Sequence, residues 1–245
     1  MPIDVETLLN RQRIESERIE FKRGWNPTGI YRTICAFAND FENLGGGYIL
    51  VGVEQDERGV AKRPVVGIED GDIDGILKDM VAYNNKFDPF YQPRTFVESI
   101  DGKKVLAIWT PSGAYRPYAV PTDITVKGKC EKAYYIRSGT SSVVAKGESL
   151  DQLRDMTNRA PVDERPNPSI GLTAISMVLL RDYLAKVNSK LEQDLFKQPL
   201  KQILEQMDLM TGPTENRMLK NVAAMMFCEN PEKFFKYMQV DVVVF

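Results

Sequence analysis

Residues 36–54 read AFANDFENLGGGYILVGVE, and this stretch says most about the fold. Its first part completes a helix that begins near Asn26-Pro27, because apolar side chains recur there at helical spacing. Gly45, Gly46 and Gly47 then end the helix and allow a close approach to the backbone. Residues 48–53, which are apolar apart from one glycine, predict a buried central strand.

The flanking segments alternate between helical and strand patterns. Residues 18–22 alternate charged and apolar side chains, which indicates a half-buried strand, and two runs around Asp101-Gly102 predict a hairpin with a type I′ turn. Further helices are predicted over 4–13, 72–86 and 148–159, and further strands over 95–100, 103–109 and 133–137. The core-facing residues expected in the second of these helices are Ile73, Ile76, Leu77, Met80 and Val81. The pattern predicts a mixed α/β (α+β) fold with a mixed sheet over residues 1–158.

The remainder of the chain has a different composition. Residues 159–170 contain three prolines and predict a linker. Residues 171–245 predict a helical segment, with helices over 172–187, 192–207 and 214–227, that ends in an apolar strand over 240–245. An apolar terminal strand indicates either that the chain was cut from a longer protein or that this strand pairs with a partner, as in a homodimer.

Composition excludes several kinds of chemistry. The chain has no histidine and only three scattered cysteines, which rules out Ser-His-Asp and Cys-His hydrolysis as well as histidine-based and four-cysteine zinc sites. No apolar run approaches the roughly 20 residues of a membrane-spanning helix, and the N-terminus is not a signal peptide. We therefore expect a cytoplasmic protein with no membrane partner.

One acidic motif could carry metal chemistry. Glu20 and Lys22 share a face of the predicted strand, and Glu15 lies at the entry to that strand. Two carboxylates beside a lysine suit a hard divalent metal with a phosphate next to it. The alternative interpretation is an exposed strand with ordinary charge pairs.

Two segments are locally basic although the net charge is −2. They lie at residues 11–32 and 125–146, and they suggest contacts with phosphate groups; the alternative is that they are ordinary solvated surfaces. The candidate nucleic-acid-binding residues are Arg18, Lys22, Arg23, Lys127, Lys129, Lys132 and Arg137. The glycine turn lacks a following Gly-Lys-Ser/Thr, so ATP is not an expected cofactor.

Three ordered motifs resemble the Schlafen/AlbA_2 domain, formerly classed as divergent AAA. They are Glu-Ser-x₃-Glu-Phe-Lys from Glu15, the run from Ala36 to Val53, and Tyr134-Tyr135-Ile136-Arg137-Ser138-Gly139-Thr140. The segment from Asn221 resembles the part that follows a winged-helix region in RecG-related bacterial members, in which further sequence normally continues. The resemblance implies an AlbA_2-like N-terminal domain followed by a winged-helix-like segment.

The resemblance also implies association with nucleic acid, either DNA or RNA. In nuclease members of the family a metal site corresponds to Glu15, Glu20 and Glu54, with Glu54 in place of the more usual aspartate. Three functions stay open. The first, which we favour, is a nucleic-acid-binding transcriptional regulator. The second is an RNase or DNase that uses Glu15, Glu20, Glu54 and Lys22 with Mg²⁺ or Mn²⁺. The third is a nucleotide-binding module.

Overall fold

The structure, a computed structural model, describes residues 1–10, 16–159 and 161–236. The chain divides between residues 159 and 160 into two compact units, which are described separately below. Helices and several sheets occur together, so the predicted mixed α/β fold is confirmed. Within the described residues, no helix is both long enough and apolar enough to cross a membrane.

The first unit alternates strands and helices in the way the sequence indicates. A 3₁₀ turn at Ser16–Arg18 leads into its first strand. The helices are α1 Val5–Asn10, α2 Pro27–Asn39, α3 Asp70–Asn84 and α4 Glu148–Arg159. The strands are β1 Ile19–Lys22, β2 Gly47–Val51, β3 Arg94–Ile100, β4 Lys103–Thr110, β5 Ala119–Pro121, β6 Lys132–Ser138 and β7 Ser141–Val144.

The strands form two sheets. The first has the order β1-β2-β4-β3, in which β1 and β2 are parallel and the other pairs are antiparallel. The second has the order β5-β6-β7 and is antiparallel. Parallel neighbours need a crossover, and α2 provides it between β1 and β2. Every residue of β2 is buried, so its prediction as a central strand is confirmed.

Side-chain alternation in β2 divides the core into two layers. Tyr48 and Leu50 pack with Val5 and Leu8 of α1, whereas Ile49 and Val51 lie on the opposite face, against α2. The side chain of Asn26 accepts a hydrogen bond from the Gly29 amide at 3.1 Å, which confirms the predicted start of α2. The same helix also contacts the second sheet, because Val120 and Tyr135 belong to its core cluster.

Asn39, the last residue of α2, joins the helix to the second sheet. Its side chain is fully buried. Nδ2 donates to the carbonyl oxygens of Tyr118 at 3.0 Å and Tyr135 at 2.8 Å, and Oδ1 accepts from the Tyr118 amide at 2.7 Å. One amide thus satisfies three buried backbone groups of the segments that form β5 and β6.

The hairpin of β3 and β4 is confirmed, with positive φ angles of 52° at Asp101 and 72° at Gly102, as a type I′ turn requires. Two details differ from prediction. The prediction that Val81 faces the core is wrong, because its exposure is 68% and α3 buries the narrower stripe of Ile73, Ile76 and Met80. Strands β5 and β7 were not predicted, since one is three residues long and the other is largely exposed.

The second unit consists of short helices around one core. Its 3₁₀ turns are Leu172–Ala174, Lys190–Asp194, Thr214–Asn216 and Pro231–Lys233. Its helices are α5 Met177–Lys186, α6 Leu200–Gln206 and α7 Asn221–Phe227, and its strands are β8 Met210–Thr211 and β9 Met218–Leu219. The predicted helices are shortened, and Pro199 breaks the one over 192–207 because proline cannot continue a helix. The helix predicted over 214–227 is wrong over its first half, where Met218–Leu219 forms β9. The winged-helix-like arrangement stays a prediction, and residues 240–245 lie outside the described part of the chain.

Residues 161–170, predicted as part of a linker, are hydrogen-bonded within the second unit. The Asn167 amide donates to the carbonyl of Leu219, and the Asn221 amide donates to the carbonyl of Arg165, both at 2.9 Å. Ile170 is buried in the core of the unit. Residues 161–170 therefore pack with the second unit, and the linker over 159–170 as a whole stays a prediction.

We expect Asn39→Ala to lower the free energy of unfolding of the first unit by about 3 kcal/mol, because it leaves buried donors and acceptors without partners. The measurement is urea unfolding followed by tryptophan fluorescence, since both tryptophans, Trp25 and Trp109, lie in the first unit. The matched control is Asn85→Ala. The exposed side chain of Asn85 donates to one carbonyl, so this substitution should lower the free energy of unfolding by at most about 0.5 kcal/mol. Equal decreases in the free energy of unfolding of the two variants would contradict the stabilising role of the buried Asn39 hydrogen bonds.

Candidate phosphate-binding site

A cleft in the first unit lies between the turn that precedes β1, the C-terminal end of α2 and the end of β6. It holds about 330 Å³ of empty space. Its charged lining residues are Glu17, Arg18, Asp40, Glu42 and Arg137. Phe37, Phe41 and Leu44 supply apolar walls. The mixture of apolar wall with a few charged groups is typical of a site for a small ligand or a part of a larger one.

Arg137 is held in a fixed orientation in this cleft. Its side chain is 10% exposed and its guanidinium carbon lies 5.1 Å from the ring centroid of Phe37. Nη1 donates to Glu20 Oε2 at 3.1 Å and to Ser142 Oγ at 3.0 Å. Nε and Nη2 are buried and find no hydrogen-bond partner among the described residues. Burial lowers the pKa of Arg137 below its ordinary value, against the opposing effect of Glu20 and Glu17.

Glu20 lies between two cations. Its Oε1 pairs with Lys22 Nζ at 2.7 Å, and its Oε2 pairs with Arg137 at 3.1 Å. The predicted shared strand face of Glu20 and Lys22 is thus present, because Ile19 and Phe21 turn to the core on the other face. The structure also adds Arg137, which the sequence had placed in a different group of candidates.

Arg18 supports the glycine turn. It is buried, its Nε donates to the Gly46 carbonyl at 2.9 Å, and its guanidinium carbon lies 5.9 Å from the ring centroid of Tyr48. Arg18 also lines the cleft. Its hydrogen bond to Gly46 holds the segment before β1 against the turn before β2. A contact between Arg18 and phosphate stays a prediction.

The close approach that the glycine turn permits is made by the chain itself. Gly46 has φ +79°, and a Cβ atom there would lie 2.0 Å from the Thr110 carbonyl oxygen. A Cβ atom on Gly47 would lie 2.5 Å from the ring of Phe37. These two glycines let the turn pack against β4 and α2, and that packing forms one wall of the cleft.

Two further residues that the sequence reasoning did not single out shape this turn. Asp40 ends α2 in the left-handed region, and its carboxylate accepts hydrogen bonds from the amides of Leu44 and Gly45. Arg116 Nη1 donates to the backbone carbonyls of Asn39 and Asp40. The position of Asp40 directly after a helical pattern was the available signal, since Asp and Asn tolerate that conformation.

The predicted metal site is not assembled by the residues that the structure describes. Glu15 lies outside them. Glu20 is level with Ile49 in the parallel register, and Glu54 follows the end of β2 at Val51. Glu54 pairs with Lys62 at 3.5 Å instead. No group of three potential metal ligands occurs within the described ranges, and a site that includes Glu15 stays a prediction.

The other basic candidates lie on the surface. Arg23, Lys127 and Lys129 are exposed, and Lys132 pairs with Asp88 at 3.6 Å. The loop that carries Lys127 and Lys129 is anchored by Lys86. Lys86 Nζ donates to the carbonyls of Ile124 at 2.5 Å and Val126 at 2.9 Å.

Glu20 and Arg137 should be strongly coupled. We expect Glu20→Gln to lower the free energy of unfolding by about 2–3 kcal/mol, because it removes the counter-charge of a buried cation. In combination with Arg137→Gln, the loss should be smaller than the sum of the two single losses. Urea unfolding of the four proteins in this double-mutant cycle measures the coupling.

The control for this cycle is Glu54→Gln, which breaks a partly exposed pair and should cost about 0–1 kcal/mol. Additive losses at Glu20 and Arg137 would contradict the coupling. A metal held by Glu20 and Glu54 would give a different pattern. Mn²⁺ would then raise the unfolding midpoint of the parent and of neither single Gln variant.

Comparison with known proteins gives the family. No curated protein matches this chain. The N-terminal domain of a RecG-related protein from Nitrosomonas europaea, solved by NMR, is 27% identical over 57% of this chain and 91% of its own, with a TM-score of 0.41. The crystal structure of the DIP2311 protein from Corynebacterium diphtheriae is 17% identical over 91% of this chain and 45% of its own, with a TM-score of 0.39. The pattern of the family described as Schlafen, AlbA_2 matches residues 15–146. The chain belongs to the Schlafen AlbA_2 family.

Proposed function

We propose that this protein is a nucleic-acid-binding transcriptional regulator that holds a backbone phosphate in the cleft beside Arg137. Membership of the Schlafen AlbA_2 family supports a role with nucleic acid. The observation that carries the proposal is the pair of buried Arg137 donors that have no hydrogen-bond partner in the described part of the chain.

The geometry of a guanidinium explains why these donors suit a phosphate. Nε–H and Nη2–H lie on one edge and point in nearly the same direction, so they match two oxygens of one phosphate. Stacking on Phe37 and the bonds from Nη1 to Glu20 and Ser142 hold the orientation of that edge. Because both nitrogens are covered, the cleft has to widen before a phosphate reaches them.

The acidic residues of the cleft restrict the kind of phosphate. Asp40 is engaged by backbone amides, but Glu17 and Glu42 also line the cleft. A phosphodiester carries one negative charge, whereas a terminal phosphate carries nearly two at neutral pH. The carboxylates repel the phosphodiester less, which favours the backbone of a DNA or RNA strand over the end of one.

Lys127 and Lys129 are suited to a second, sequence-independent contact. Both are exposed on a loop whose backbone Lys86 holds in place. Lysines of this kind bind backbone phosphates and release counterions, and such contacts position a protein on nucleic acid without reading its sequence. Arg23 and Lys132 are further candidates for such contacts.

The regulator is favoured over the nuclease and the nucleotide-binding module. Glu20 is already paired with Lys22 and Arg137, and Glu54 is paired with Lys62. A nuclease centre would therefore depend on Glu15 and on a rearrangement of these pairs. The sequence has no phosphate-binding loop with Gly-Lys-Ser/Thr for a nucleotide.

We expect Lys127→Ala combined with Lys129→Ala to weaken binding to DNA or RNA. The slope of log affinity against log salt should fall by about two units, one for each lost phosphate contact. Filter binding of labelled oligonucleotides across a salt series measures this slope. The control is Lys78→Ala combined with Lys103→Ala, which removes the same charge from exposed positions elsewhere. Identical slopes in both double variants would exclude the Lys127 loop from binding.

Arg137→Lys keeps the positive charge but removes the two parallel donors. We expect binding to weaken by about tenfold, since a charged hydrogen bond contributes about 1.5–3 kcal/mol. Fluorescence anisotropy with a short labelled oligonucleotide measures the affinity, and thermal unfolding checks that the variant is folded.

The matched control is Arg32→Lys. Arg32 is half-buried, lies 5.7 Å from the ring centroid of Tyr135 and also has an unpartnered Nε, but it does not line the cleft. An equal loss of affinity in the two variants would mean that the cleft is not the binding site.

A further inference from the structure

Strand β3, residues Arg94–Ile100, lies at the edge of the four-stranded sheet. Its strand partner in the described part of the chain is β4. Arg94, Val97, Glu98 and Ser99 are exposed. A seven-residue edge with exposed side chains is a surface on which another strand can pair.

The turn fixes which backbone groups point outward. In a hairpin with a two-residue turn, the residues that flank the turn exchange backbone hydrogen bonds, and these are Ile100 and Lys103. Every second residue back from Ile100 therefore bonds to β4. The intervening residues Thr95, Val97 and Ser99 direct their amides and carbonyls away from β4, and no described residue forms hydrogen bonds with those groups.

We propose that this edge pairs with the same edge of a second copy of the chain, in antiparallel orientation and centred on Phe96. In this register Thr95 of one copy exchanges hydrogen bonds with Val97 of the other. Phe96 lies opposite the same residue of the second copy at the two-fold axis. In an antiparallel sheet, two opposite residues that exchange no backbone hydrogen bonds bring their side chains close together.

Charge complementarity selects this register. Arg94 of each copy lies opposite Glu98 of the other, so the dimer gains two equivalent ion pairs. Neither residue has an ion pair among the described residues. The guanidinium carbon of Arg94 lies 5.2 Å from the ring centroid of Trp109, and this contact orients the side chain. A shift by two residues would instead place Arg94 opposite Ile100 or Phe96. The centred register is therefore the one that pairs opposite charges at both ends.

The test is a charge exchange measured by sedimentation velocity over a concentration series, without nucleic acid. Arg94→Glu alone and Glu98→Arg alone each place like charges opposite each other twice. We expect each to raise the dimer dissociation constant by about tenfold or more. The double variant Arg94→Glu with Glu98→Arg restores both opposite-charge pairs and should dimerise as the parent does.

An equimolar mixture of the two single variants provides a second measurement. Each variant fails to pair with itself, but a mixed dimer has opposite charges at both positions, so we expect the mixture to form dimers. Glu57→Arg is the control, since it makes the same charge change at an exposed site away from the edge and should leave the dimer unchanged. A monomeric parent at all concentrations would overturn the proposal. Single variants that dimerise as well as the parent would overturn it too.

Discussion

The hydrogen bonds of the buried Asn39 side chain are the constraint on which the first unit depends. They connect the end of α2 with the backbone of Tyr118 and Tyr135, and so connect the crossover helix of one sheet with the strands of the other. A buried amide in this position tolerates little displacement, because its loss takes away the acceptor of the Tyr118 amide and a donor to the Tyr135 carbonyl. The position of α2 in turn determines where Asp40, the glycine turn and Phe37 meet the cleft.

The elements that were correctly predicted are those whose signals are local. The cap at Asn26, the type I′ turn at Asp101-Gly102 and the apolar run of β2 each depend on neighbouring residues alone. The three bonds of Asn39 depend on Tyr118 and Tyr135, which are 79 and 96 positions away in sequence, so no local pattern indicates them. Val81 was misassigned because helical spacing alone does not show how wide the contact of α3 with the core is.

The candidate site was predicted in its parts but not in its arrangement. Glu20, Lys22 and Arg137 were all singled out, and the structure brings them together although Glu20 and Arg137 are 117 residues apart. Their separation in sequence hid the fact that the acidic and the basic candidates neutralise each other. Glu20 and Glu54 were grouped because the family resemblance implies that both belong to one metal site. In the structure Glu54 follows the end of β2 and pairs with Lys62.

The cleft is the best candidate functional site of the first unit because Arg137 lines it. A buried guanidinium with two unpartnered nitrogens costs free energy, which Glu20 and the ring of Phe37 offset in part. Arg32 likewise lies over an aromatic ring, that of Tyr135, and its Nε has no partner among the described residues. Its Nη2, however, bonds to the Thr122 carbonyl, and Arg32 does not line the cleft. Unsatisfied donors alone are therefore weak grounds for a site. The difference is that the Arg137 donors lie beside the cleft, so a ligand that widens the cleft can supply the missing acceptors, whereas Arg32 does not line it.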